Sequence, residues 1–543
     1  MDKNKLRMII LPIVIVLAVV VGMFANSLFS KHNMAGVGQN VFMPTQGSKL
    51  DMILNMINYS YVDTVNMKDI EENAISQLIK DLDPHTVYIP AEELQKVNED
   101  MVGNFGGIGV QFYKYRDTVL VLQVVPGGPS EQAGVLNGDR IVKVNDSIIA
   151  GRKMDTDKIM KMMRGEIGTE VALTLVRRGE KEPVVKNIVR GTIPVKSVEV
   201  AYMVNDTTGY VNVRTFGMNT YNEFIAALDT LSKQGMKRVI VDMRGNAGGI
   251  LPIAIKMINE FLADQQLILY TQGKASPRVD YKSNGKGKYQ QLPITVLIDD
   301  FSASASEIFA GAIQDNDRGI VIGRRSFGKG LVQEQRVLPD GSALSLTVAR
   351  YYIPSGRSIQ KPYDKGKEKY YEDIYDRYVH GEFEQKDSIR FDEKLKFETL
   401  GGRTVYGGGG VMPDIFVPAD TSGSSAYLAR LDRSQSIYEY SIDFLERHRD
   451  EMKSIKNYKE LLDYMKNHDF VEGVVTFAEK RGIPRDTKGI NISSKIIDSS
   501  VKAYLGRLLL NDEGFYPIYG LRDKTLKKAL ENSSKAEVNR QNP

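Results

Sequence analysis

The 543-residue chain contains no cysteine. That excludes a disulfide framework, thiolate catalysis and any cysteine-ligated metal. Histidine is scarce: only His32, His85, His380, His448 and His468 occur, and none lies between residues 86 and 379. No two stand close enough in sequence to suggest a metal pair on one element. An excess of one charge is missing too. The formal net charge is +4 and the basic residues form no long runs, so nothing in the balance points to nucleic acid. No internal repeat is evident. What remains is an ordinary globular composition, 42% hydrophobic and 26% charged, long enough for about three or four domains of ~150 residues.

The amino terminus is more specific. Lys3, Lys5 and Arg7 precede an uncharged apolar run from Met8 to Ala25, within a segment 1–30. At ~1.5 Å per helical residue the run spans roughly 27 Å, near the hydrocarbon thickness of a bilayer. Met23 stands where a cut after Ala25 would want a small residue, so a retained membrane anchor fits better than a cleaved signal. Both readings keep the basic flank in the cytoplasm and send the rest across the membrane. The chain is then single-pass in a bacterial inner membrane or, after cleavage, periplasmic.

Residues 31–46 read as a polar tether. Segment 47–100 has helical apolar spacing, with Leu50, Ile53, Leu54 and Ile57, then Ile70, Ala74, Ile75, Leu78 and Ile79, and is closed by "DPHTVYIP". These helices read as packing elements; a homo-oligomer contact is the other use open to them. From 103 to 189 the texture turns to short β-rich pieces. "GGIGVQF" is a glycine-rich turn entering an alternating strand. The backbone N–H groups of Gly106, Gly107, Ile108 and Gly109 could bind a peptide carboxylate while the strand takes the peptide as an added strand. Such a turn alone is more often only a tight turn. Followed by "PGGPSEQAGVLNGDRIVKVND", however, the region resembles a bacterial PDZ domain.

Residues 190–420 hold three transitions from apolar strand to polar loop: "RVIVDMRGNAGG", "ITVLIDDFSASASE" and "GIVIGRRSFGKG". Such runs fit strands of a sheet covered on both faces, with ligand chemistry gathered outside their carboxyl ends. After residue 424 the pattern is helical to Glu531, an extension 424–543 that reads as an accessory domain.

The third loop, Gly323 to Gly330, has the spacing of a phosphate loop, but Gly330 stands where a magnesium-binding hydroxyl is required. No clear helix follows to supply a dipole and free amides, so Asp242 is not read as a metal-holding partner. The second loop, "SASASE", places three serines at a strand-to-helix turn. A helix cap explains one of them, Ser302 or Ser304, with Glu307 in the first turn. It does not explain the run of small residues, which would admit a substrate backbone. A serine nucleophile needs a base, and the absence of histidine across this core makes a Ser-His-Asp triad unattractive. A lysine serves if it is neutral, and burial can bring its pKa from about 10.4 to about 7, at a cost of about 4 kcal/mol.

"SASASEIFAGAIQD" followed by "RSFGKGLVQ", with "DPHTVYIP", the PDZ-like region, "DMRGNAGG" and "GGGGVMPD" in order, resembles the carboxy-terminal processing (tail-specific) protease family across residues 50–420. The resemblance implies a mixed α/β (α+β) fold. A crotonase/Clp-peptidase-like protease core is joined by a PDZ domain, N-terminal helices and the C-terminal helical extension. It implies a serine–lysine dyad without metal or other cofactor, acting on protein or peptide C-termini held by the PDZ domain. Carried over by motif, Ser304 is the nucleophile, Lys329 the general base and Gln333 the residue that orients it. The oxyanion donors are the N–H of Ala305 and one from Gly248 or Gly249, and Asp315 matches a family position with salt-bridge or cap duty as its other reading. Ala247 and the long extension depart from the family pattern, and neither touches the dyad. The rival reading is a catalytically idle PDZ scaffold tethered to a membrane.

Overall fold

A computed structural model describes residues 48–533. The apolar run Met8–Ala25 and the tether after it lie outside the described residues. Among the described residues no helix is long and apolar enough to cross a membrane. The chain divides into two units after Asn73. The first contains the helix Lys49–Ser60, capped reciprocally by Ser48 and Asp51, and the beginning of the helix Met67–Lys80.

The second unit is built on a six-stranded sheet in the order Val198–Met203, Thr208–Val213, Arg238–Asp242, Ile294–Ile298, Gly319–Gly323, Ile415–Phe416. The first pair is antiparallel and every later pair is parallel. Alternate side chains part to opposite faces. Val239 and Val241 pack with Leu228, Met257 and Phe309 of the helices Thr220–Lys233, Leu251–Asn259 and Ala305–Asp315. Ile240, Leu297 and Ile322 pack on the other face with Leu526 and Ala529 of the helix Lys524–Glu531. The sheet is thus covered on both faces, as its unbroken apolar runs predict. The last helix, read from sequence as accessory, completes this core.

A second sheet carries Leu331–Val337, Ala343–Tyr352, Leu267–Gln272, Val279–Lys282 and the short strand Val87–Ile89. Its long strand Ala343–Tyr352 pairs with Leu331–Val337 and with Val87–Ile89, which brings residues near 85 close to residue 333. The PDZ-like region has a five-strand run, Val110–Tyr115, Thr118–Val124, Arg140–Val144, Glu170–Val176 and Val184–Val189, with Ser147–Ile148 off one side. It encloses its own core of Ile108, Val121, Ile141, Ile159 and Leu173. A separate pair, Asn104–Gly107 with Gly191–Pro194, joins its entry and exit.

The helices from Ala426 to Gly520 form a further core around Tyr427, Leu461, Val474 and Val501. Helix Ser436–Met452 docks on the PDZ-like sheet, where Ile442 packs with Tyr115 and Leu120, and Arg140 pairs with Glu446 at 2.8 Å.

Candidate active site

The parallel strands end together, so the loops after Asp242, Ile298 and Gly323 share one edge of the sheet. The turn 299–304 is stitched to the loop after Asp242 by its own small residues. Ser302 Oγ donates to the Met243 carbonyl at 2.8 Å, the Ala303 N–H to the Asn246 carbonyl at 3.0 Å, and Ser306 Oγ to the same carbonyl at 2.9 Å. Ser302 and Ser306 are therefore structural. Ser304 stands between them, only part-buried, at φ 57° and ψ −115°. A non-glycine residue at positive φ is strained, and here the flanking bonds hold it there at the start of the helix Ala305–Asp315.

Glu307, fully buried three residues on, ties this turn to the lysine loop. Its carboxylate accepts the backbone N–H of Ser304 at 2.8 Å, of Lys329 at 2.9 Å and of Gly328 at 2.7 Å, and the Ser326 hydroxyl at 2.5 Å. Tyr351 does the same from below: its hydroxyl donates to the carbonyls of Ser304, at 3.2 Å, and of Lys329. Burial raises the Glu307 carboxyl to about 7, against the four bonds that favour its charge.

Lys329 Nζ donates to Gln333 Oε1 at 2.9 Å, and Gln333 Nε2 donates to the His85 carbonyl. Burial lowers the Lys329 pKa below its ordinary 10.5, with Glu307 and Asp83 acting in the opposite sense. The arrangement holds the lysine amine by one hydrogen bond, on a loop whose backbone is tied to the strained Ser304 turn through Glu307.

Gly248 packs directly under Ser304. At φ 101°, a Cβ on it would lie 2.8 Å from Ser304 Cβ and 2.9 Å from the Ala305 nitrogen, so only glycine fits. Its N–H is taken, however, by Asn246 Oδ1 at 2.8 Å. Of the two glycines considered as oxyanion donors, Gly248 is thus occupied in this structure. The loop is anchored at its start by Arg244, which pairs with Asp242 at 2.5 Å and with Asp523 of the extension at 2.6 Å. Asp242 also accepts the Tyr210 hydroxyl at 2.7 Å, a structural role.

Asp315 lies at the other end of the helix that Ser304 begins and makes a 2.8 Å ion pair with Arg357, both fully buried. The structure does not bring it to Ser304, and salt-bridge duty is what it has. In the PDZ-like region Gly106 and Gly107 lie in the strand pair with Gly191 and Thr192, Ile108 is buried in the domain core, and Gly109 adopts φ 75°. The strand that follows, Val110–Tyr115, is the end member of its sheet.

Sequence reading missed Glu307 as a hub, Tyr351 as a tie and His85 as a neighbour of the lysine. Glu307 had a signal, since S-x-x-E marks a capping box. Tyr351 and His85 had none, because only strand pairing makes them neighbours.

A profile of peptidase family S41 matches residues 207–366 and a PDZ-domain profile matches residues 106–185; residues 427–511 match a family of unknown function. The chain is similar to a probable CtpA-like serine protease of Staphylococcus haemolyticus, 33% identical over 57% of this chain and 62% of that protein. A second, from Staphylococcus epidermidis, is 31% identical over 65% of this chain and 70% of its own length. The match thus spans less than two thirds of the first of these relatives. Among solved structures it is similar to the photosystem II D1 C-terminal processing protease, with 25% identity, a TM-score of 0.35, and coverage of 68% of this chain and 88% of that one.

Proposed function

The chain belongs with the CtpA-like serine proteases of peptidase family S41, and from that membership we propose that it is a serine endopeptidase using a Ser304–Lys329 dyad. The neutral Lys329 amine takes the proton of Ser304 Oγ as that oxygen attacks the scissile carbonyl. The developing oxyanion is met by the N–H of Ala305 and, because Asn246 occupies Gly248, by that of Gly249. The protonated lysine returns its proton to the leaving amine, and water then releases the acyl group from Ser304 by the same route.

One observation carries this reading: Lys329, its pKa lowered by burial, is oriented by Gln333 beside the strained Ser304 turn. A PDZ scaffold without catalysis has no use for such a lysine. Labelling by a serine-reactive fluorophosphonate probe tests it. The wild-type protein should label and Ser304→Ala should not; equal labelling of both would remove Ser304 as nucleophile.

For substrates, protein C-termini fit the PDZ-like region best. The end strand Val110–Tyr115 can take a peptide as an added strand, with its carboxylate at residues 106–109. The sequence of residues 1–30 supports a catalytic part outside the cytoplasm, anchored through residues 8–25. A reporter fused after residue 40 would be found inside the cytoplasm if that is wrong.

A further inference from the structure

The turn Asp83–Thr86 has no part in the reaction above, yet it is tightly built. Asp83 Oδ1 accepts the N–H of His85 at 2.8 Å, the N–H of Thr86 at 2.9 Å and the Thr347 hydroxyl at 3.0 Å; Oδ2 accepts the Thr86 hydroxyl at 2.5 Å. The His85 carbonyl held this way is the one that accepts Gln333 Nε2–H. The His85 ring makes a bond of its own. Its Nε2 lies 2.9 Å from the Tyr370 hydroxyl, and the two rings meet edge-on at 5.2 Å.

Tyr370 is 2% exposed and stands on the helix Lys367–Val379. Its ring meets Phe327 of the lysine loop at 5.8 Å, and Lys361 Nζ lies over it at 4.3 Å. Next to it, Tyr371 donates its hydroxyl to the Pro84 carbonyl at 3.2 Å. The turn and this helix both fall outside the segments matched by the family profiles.

We propose that His85 and Tyr370 are a positioning pair: they clamp the Asp83–Thr86 turn so that its carbonyl holds Gln333, and Gln333 in turn holds the Lys329 amine toward Ser304. The inference rests on the reading of Lys329 as general base. A neutral amine that donates to Gln333 keeps its lone pair for the serine proton, and one released from Gln333 is free to turn and be solvated. Solvation favours the ammonium and raises the pKa of the base.

The groups around the amine set the direction. Glu307 from its helix and Asp83 from the turn favour the ammonium and are present in every variant below. His85 is held neutral, at about 4, chiefly by burial and then by Lys329, so it adds no charge at neutral pH. Lys361 is paired with Asp373 at 2.9 Å, and Lys367 acts on His85 from the start of the helix. Loosening the pair therefore acts through the placement and solvation of Lys329, not through a new charge.

The test is kcat and KM against pH, in a chemistry-limited peptide assay on the full chain, for wild type, Gln333→Ala, Tyr370→Phe and the double variant. Tyr370→Phe keeps the ring and deletes the hydroxyl's bond with His85, together with the longer one it accepts from Gln360 Nε2 at 3.5 Å. It should lower kcat roughly 3- to 10-fold, leave KM within about twofold, and move the pH midpoint upward. Gln333→Ala should do the same more strongly. The double variant should be no worse than Gln333→Ala, because Tyr370 acts through Gln333. His85→Gln, read the same way, serves if Tyr370→Phe melts at a much lower temperature than wild type. A Tyr370→Phe profile that matches wild type, or losses that multiply in the double variant, overturns the pair while leaving the dyad. If Gln333→Ala itself matches wild type, Gln333 does not place the amine and the pair falls, while Lys329→Arg tests the base separately.

Discussion

One carboxylate oxygen of Glu307 accepts the backbone N–H of Lys329 at 2.9 Å and that of Ser304 at 2.8 Å. The two residues read as base and nucleophile are thus spaced through their backbones by a third residue, and Tyr351 repeats the tie on their carbonyls. Substituting either reacting side chain leaves this frame in place.

Replacing the frame residue should do more. In Glu307→Gln one of the two accepting oxygens becomes an NH₂ group facing N–H donors, so buried donors go unpaired, each at about 1–3 kcal/mol. Activity should fall by at least roughly 10-fold. The pH dependence of stability should change as well. Burial lifts the folded-state pKa from 4.5 to about 7, so the folded protein holds this proton more tightly than the unfolded chain. That contribution is fully present below 4.5 and is lost as pH rises through about 7, on the order of 3 kcal/mol in all. Urea midpoints across that range should decline for wild type relative to Glu307→Gln. A difference between the two that does not vary with pH would contradict the raised carboxyl.

Much of this site could be read from sequence, for physical reasons. The apolar runs ending in "DMRGN", "FSASAS" and "RRSFGKG" announce two-faced strands and their loops, because a buried parallel strand leaves no polar alternation. With no histidine between residues 86 and 379, Lys329 is the base the sequence offers. Spacing alone does not separate the serines; Ser302 and Ser306 bond to the neighbouring loop, and Ser304 is the part-buried one between them. His85 does border the lysine although none lies between 86 and 379, because the strand Ala343–Tyr352 pairs with both Val87–Ile89 and Leu331–Val337. Nor does helical periodicity near residue 526 say which sheet that helix will cover.

Asp315 has a structural task at the far end of its helix. Asp315→Asn leaves Arg357 as a fully buried charge without its counterion, which typically costs 3–5 kcal/mol. Thermal denaturation should show a large loss of stability, while kcat per folded molecule at low temperature stays near wild type. Lost turnover with an unchanged melting temperature would instead give Asp315 a part in the chemistry.

Tail recognition predicts dependence on a free carboxylate. Charge-assisted hydrogen bonds from residues 106–109 would contribute about 1.5–3 kcal/mol, so amidating a substrate peptide should lower kcat/KM by roughly 10- to 100-fold. A variant lacking residues 103–189 should not distinguish the two peptides. Equal rates on both with the intact enzyme would mean that this domain does not read C-termini.

The dyad is tested most directly by Lys329→Arg, assayed for peptide cleavage from pH 6 to pH 10 beside wild type. Arginine keeps a positive charge and much of the length but cannot deprotonate, with a pKa above about 12. Wild-type kcat/KM should rise with pH to a midpoint below 10.5, since burial lowers the Lys329 pKa. Lys329→Arg should show no cleavage above background anywhere in that range while melting as a folded protein. Substantial cleavage by Lys329→Arg would show that Lys329 supplies charge and not a base, and would contradict the account.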